Sequence, residues 1–192
     1  DYFRKQDVQI KIISGDDPST VSAIARRCHL LDYEKYIDVS SLSDEEIKEA
    51  VEKYTIFGRV SPQQKKIMIT TLQENNHTVA MTGDGVNDVL ALKAADCSIA
   101  MASGSDAAKS ASHIVLLENN FNAMPHIVNE GRRVINNITA SASMYLIKTI
   151  FSVVLSIGMI LFGHGYPFKP IQLTVISACC VGIPTFFLTY EP

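Results

Sequence analysis

The sequence predicts an α/β fold, a Rossmann-like parallel sheet with helices on both faces, followed by one long helix and a two-helix apolar hairpin. Three observations carry that expectation. Short apolar strands alternate with helical patterns as far as residue 117, the order that builds parallel sheets. Nearly all of the 17 Lys and Arg and the 20 Asp and Glu lie before residue 134, and beyond it only Lys148, Lys169 and Glu191 are charged. Two almost wholly apolar runs follow, about 144–163 and 171–190, each close to the roughly 20 residues that span a bilayer. The expected division is therefore 1–121 for the α/β domain, 122–143 for a stalk helix and 144–192 for the hairpin.

Within the α/β part, Val8-Gln9-Ile10-Lys11-Ile12-Ile13 alternates as a strand, and Ser19 to Cys28 has helical periodicity after the helix start at Asp17-Pro18. Ile37-Asp38-Val39 is a short strand, and Ser43-Asp44-Glu45-Glu46 is a capping box opening a helix through Tyr54. A strand over 55–60 runs into Ser61-Pro62, the cap and first-turn proline of a helix over 62–74. Strand 77–81, helix 87–95, strand 98–101, a short helix over 105–111 and strand 113–117 complete the alternation. The opening Tyr2-Phe3-Arg4-Lys5 reads as the middle of a helix. From Phe121, Ile127, Val134, Ile135 and Ile138 form an apolar stripe opposite Glu130, Arg132, Arg133, Asn136 and Asn137, which suits a stalk.

The chemistry concentrates in Met81-Thr82-Gly83-Asp84-Gly85-Val86-Asn87-Asp88, where two carboxylates and an amide sit on a glycine-bracketed turn after an apolar strand. Ligands of such α/β layers bind at strand carboxyl ends, and hard oxygen donors suit Mg²⁺, which keeps several waters and needs one or two carboxylates. Asp84 and Asp88 are thus the candidate metal ligands, with Gly83 and Gly85 allowing the tight turn and the close approach of a ligand. At the end of the first strand, the Ser14 hydroxyl and the Gly15 amide offer neutral donors to a phosphoryl oxygen. Lys65, on the first turn of the helix after Phe57-Gly58-Arg59-Val60-Ser61-Pro62, supplies a fixed ammonium for developing phosphate charge. Taken singly, each of these is also an ordinary cap, turn or solvated lysine. The formal net charge of −3 leaves no basic footprint for nucleic acid. Cys28, Cys97, Cys179 and Cys180 have neither metal-finger spacing nor a secreted disulfide pattern.

Ser14-Gly15-Asp16, Arg59-Val60-x-Pro62-x-x-Lys65, Thr82 to Asp88, Ala91 to Asp96, Ile99-Ala100-Met101, Asn119-Asn120-Phe121 and Glu130-Gly131-Arg132-Arg133 occur in that order. In them the chain resembles the back half of a P-type cation-transporting ATPase of the haloacid-dehalogenase superfamily, and its ending resembles the bacterial subgroup labelled E. The resemblance implies that Asp84 ligates Mg²⁺, that Asn87 and Asp88 support the phosphoryl site, and that Lys65 pairs with the phosphoryl group. It also implies that Ser14 and Gly15 bind phosphoryl oxygens, and that Asp16 and Arg59 lie toward bound ATP. The family's nucleophile is an aspartate in Asp-Lys-Thr-Gly-Thr, a segment these 192 residues do not contain. The expectation is accordingly a pump fragment, inactive alone, that needs the missing N-terminal domains of the same pump. Residues 1 to about 140 would be cytosolic, and the rest would sit in the lipid bilayer as part of a multi-pass cell-membrane protein. Two other readings stand beside it: a haloacid-dehalogenase-type phosphatase, which would share the glycine-bracketed turn but needs its own nucleophile, and a catalytically silent membrane-anchored binding module, which would also lack one.

In the apolar part, Thr149, Ser152 and Ser156 follow one helix face, and Gly182 and Pro184 break the second run, with Ser177 on the face of Pro184. Proline leaves carbonyls unpaired, and such breaks mark ion sites in transporters. Close packing through small residues accounts for the same pattern. Where the best-known calcium and sodium pumps carry acidic, amide and hydroxyl ligands, this chain has Ile150, Val153, Ser177, Cys180 and Val181. The transported cation, calcium or another, is left open by these residues.

Overall fold

The structure, a computed structural model, describes residues 2–163, 165 and 167–188. His164 and Tyr166, between the two apolar runs, and the end of the second run at Tyr190 with Glu191 and Pro192, lie outside the described residues. The chain forms two compact units, Asp1–Asn122 and Ala123–Pro192.

In the first unit, β1 (Ile12–Ile13), α1 (Pro18–Arg27), β2 (Tyr36–Asp38), α2 (Asp44–Lys53), β3 (Ile56–Gly58) and α3 (Pro62–Glu74) come first. They are followed by β4 (Ala80–Gly83), α4 (Val89–Ala94), β5 (Cys97–Met101), α5 (Asp106–Ala111) and β6 (Ile114–Leu116). All strand pairs are parallel, but they fall into two three-stranded sheets, ordered β1-β3-β2 and β4-β5-β6. The expected six-residue first strand contracts to two, because only Ile12 and Ile13 pair with β3, opposite Ile56 and Phe57. Val8 and Ile10 are exposed. The opening expected as helix is a single 3₁₀ turn, Arg4–Gln6, ended by Asp7 at φ 57°.

Helix starts follow their caps. Asp17 accepts from the Ser19 amide ahead of α1, and Ser43 and Ser61 close full capping boxes with Glu46 and Gln64. Helix α3 serves two cores. Its Met68 joins Val39, Ile47, Val51 and Phe57, while its Ile69 joins Val79, Met81, Ala91 and Leu92. A helix between the two sheets thus holds both apolar layers and presents Lys65 at its first turn.

The second unit begins with the 38-residue helix α6 (Met124–Leu161), which runs without interruption through most of the segments 122–143 and 144–163. Helical backbone resumes as α7 (Pro170–Ser177), one π-turn (Ala178–Gly182) and α8 (Ile183–Leu188). Both stretches contain a run long and apolar enough to cross a membrane, and little of either run is buried. The π-turn sits where Gly182 and Pro184 weaken the ladder, and the Ile183 amide donates to Ala178 five residues back.

Candidate active site

The carboxyl end of β4 is built around close approach. A side chain at Gly83 would put its Cβ 2.7 Å from Asp88 Cβ, so only glycine lets the strand pass the Asp88 carboxylate. A 3₁₀ turn over Val86–Asp88 brings Asp88 back onto its own loop, where Oδ2 accepts the Gly85 amide at 3.1 Å. Oδ1 accepts from Lys65 Nζ at 2.7 Å, and both side chains are only 11% exposed. A buried carboxylate thus neutralises the lysine that α3 delivers from the other sheet.

Asp84 is different. Its exposed carboxylate has no hydrogen bond or ion pair among the described residues, while its main-chain carbonyl accepts from the Ser105 amide at 2.8 Å. Asn87 is likewise exposed without a side-chain hydrogen bond among the described residues. No group of three or more His, Cys, Asp or Glu converges among the described residues, so a cage of protein ligands of the zinc type is not built here. One open carboxylate at a strand end is a donor set that fits Mg²⁺, which retains most of its waters.

At the carboxyl end of β1, Ser14 Oγ accepts the Asp16 amide at 3.1 Å and donates to Asp16 Oδ2 at 3.3 Å, and Gly15 is exposed. Arg59 follows β3 at φ 52°, its amide donating to the Asp16 carbonyl. Its guanidinium donates to Asp38 Oδ2 at 2.8 Å and to Asp17 Oδ2 at 2.9 Å, clamping the end of β2 and the loop after β1. The Asp17 carboxyl is held below its ordinary range first by the Ser19 hydroxyl and amide and then by Arg59, and Asp38 likewise by Ser40 before Arg59. Sequence reasoning singled out Arg59 but not these partners, because nothing in the motif tells which of many carboxylates it meets. Among the described residues no hydrogen bond or ion pair joins the Ser14–Asp16 turn to Lys65 or Asp84, whereas Lys65, Asp88, Gly83 and Gly85 are brought together.

In the second unit, each hydroxyl expected on an ion path donates to its own helix. Thr149 donates to Tyr145 O (2.9 Å), Ser152 to Lys148 O (3.0 Å) and Ser177 to Leu173 O (2.6 Å). Their oxygens keep lone pairs for a further partner. Gly182 lies in the π-turn, Pro184 two residues beyond it, and all four cysteines are free thiols.

Residues 1–96 match the family of haloacid dehalogenase-like hydrolases. The whole chain is similar to a probable cation-transporting ATPase, exp7, of Streptococcus pneumoniae, with 51% identity over 199 residues and 26% of that protein covered. It is also similar to the calcium-transporting ATPase CtpE of Mycobacterium bovis, 45% identical over 207 residues and 25% of its length. The chain thus spans about a quarter of the curated relatives it matches. Among solved structures, a zinc-transporting PIB-type ATPase shares the fold at a TM-score of 0.66 and 23% identity, over 93% of this chain and 25% of that one. With the parallel α/β unit, the glycine-bracketed carboxylate turn and the family match together, the chain belongs to the haloacid dehalogenase-like hydrolases, and over its whole length it is similar to cation-transporting ATPases.

Proposed function

We propose that this chain contributes the magnesium and phosphate half-site and part of the membrane ion path to an ATP-driven cation pump that works through an aspartyl phosphate. The observation that carries the reading is the buried Lys65–Asp88 pair beside the open Asp84 carboxylate at one strand end. Asp84 would hold Mg²⁺, whose charge would offset that of the phosphate oxygens. Asp88 fixes the Lys65 ammonium by a 2.7 Å ion pair, so that the lysine meets a phosphoryl group without reorganising. Asn87 supplies an unspent amide beside it, and Ser14 and Gly15 offer neutral donors from β1. Asp16 and Arg59 form the rim toward ATP, with Arg59 held in place by Asp17 and Asp38. The Asp-Lys-Thr-Gly-Thr segment does not occur in these 192 residues, so the chain alone should neither hydrolyse ATP nor form a phosphoenzyme.

The cargo is a cation. A relative named as calcium-transporting, 45% identical, favours calcium within that class. Residues 1 to about 140 lie in the cytosol, where ATP is found, and the two apolar helices lie in the membrane. The test is radiolabelling of the full-length protein that carries this chain. Asp84→Asn and Lys65→Ala should each lower acid-stable phosphoenzyme by roughly 100-fold, the scale of losing a preorganised charge partner. Wild-type labelling in both variants would overturn the assignment.

A further inference from the structure

We propose that the short strap Ser103-Gly104-Ser105, anchored by Asn119, is the positioning device for Asp84. The inference rests on the reading of Asp84 as the metal-holding carboxylate. The strap follows β5 and runs beside the main chain of Asp84. The Ser105 amide donates to the Asp84 carbonyl at 2.8 Å, while the Ser105 hydroxyl is spent on capping α5 through the Ala108 amide. Gly104 touches the same peptide from the side. A Cβ there would lie 2.8 Å from Asp84 O, 3.0 Å from Asp84 Cα and 3.0 Å from Met101 O. All three are main-chain atoms, so no flexible side chain can give way, and any larger residue must push Asp84 or the strap aside.

The other end of the strap is held from the loop after β6. Asn119 Oδ1 accepts the Ser103 amide at 2.8 Å across 16 residues, and Asn119 itself sits at φ 53°, a conformation asparagine tolerates better than most residues. Its own amide donates to Leu116 O at the end of β6. Two hydrogen bonds and one close contact therefore connect the Asp84 backbone to the loop after β6, five residues before α6 begins at Met124. Asp84 has no side-chain partner to orient it among the described residues, which leaves its placement to the backbone that this strap grips. Outer contacts of this kind change metal affinity by about 10- to 100-fold when lost.

The experiment uses the full-length protein, purified in detergent, titrated with Mg²⁺ at fixed inorganic phosphate and followed by the rise in melting temperature. Gly104→Ala and Asn119→Ala should raise the half-saturating Mg²⁺ by about tenfold or more. Asn119→Asp, which keeps an acceptor oxygen for the Ser103 amide, should return it to within about threefold of wild type, by the same scale. A merely structural role would lower the Mg²⁺-free melting temperature and leave half-saturation alone. Should Gly104→Ala fail to fold, the two Asn119 variants carry the comparison. Unchanged half-saturation in the strap variants, with Asp84→Asn strongly shifted, overturns the strap and keeps the site. An unshifted Asp84→Asn overturns the underlying reading and the strap with it.

Discussion

Lys65 and Asp88 are separated by 23 residues and joined by one short buried ion pair, so each is costly without the other. Lys65→Met should destabilise the first unit by about 3 kcal/mol, because it leaves a buried carboxylate unpaired. Adding Asp88→Asn, which removes the charge, should recover a good part of that loss, as read by urea unfolding. Gly83→Ala should cost about 1–3 kcal/mol, through the overlap of the new Cβ with Asp88. Acid stability can be read at two other carboxylates. Asp96 is held below its ordinary range by the Val79 amide and then Gln73, and Glu52 by Asn75 and then by His77 and Lys11. Carboxylates with depressed folded values give stability that is complete above their unfolded values near about 4 and is lost as pH falls through the folded ones. Circular dichroism between neutral and strongly acid pH should find the loss below about pH 4. The drop should be shallower in Asp96→Asn.

At the scale of elements, legibility follows locality. Helix α3 lies over the expected 62–74 because Ser61, Pro62 and Gln64 specify its start within four residues. Ser61→Ala should lower stability by about 1 kcal/mol through the lost cap, measurable by thermal melting. Strand lengths were less legible. An alternating pattern can propose Val8–Ile13, but only pairing with β3 decides that two residues enter the ladder. The π-turn at Ala178–Gly182 is the counterpart in the second apolar stretch. The sequence marked the break through Gly182 and Pro184, and the backbone chose to absorb it as one wider turn instead of an unwound segment. Pro184→Ala restores an amide donor there. It should reduce cation-stimulated ATPase of the full-length protein severalfold while leaving nucleotide binding intact, a pattern that packing alone would not produce.

For the molecule as a whole, the segregation of charge expects residues 164–170 outside the cell, with Arg132 and Arg133 inside. Gly165→Cys, in a background without Cys28, Cys97, Cys179 and Cys180, should react with an impermeant thiol reagent on intact cells. Labelling only after permeabilisation would contradict two spans. The sequence by itself determined the parallel α/β class, the helix caps, the glycine-bracketed turn at Asp84 and the two apolar helices. Each depends on neighbours within a turn or on the hydropathy of one segment. Only the tertiary structure decided that the strands divide into two sheets, that Lys65 meets Asp88, and that Arg59 holds Asp17 and Asp38, 42 and 21 residues away. The same holds for Asn119 and Ser103. These contacts join segments whose adjacency is set by strand order and by closing long loops, and a chain rich in carboxylates and amides carries no local mark of which partner each will meet.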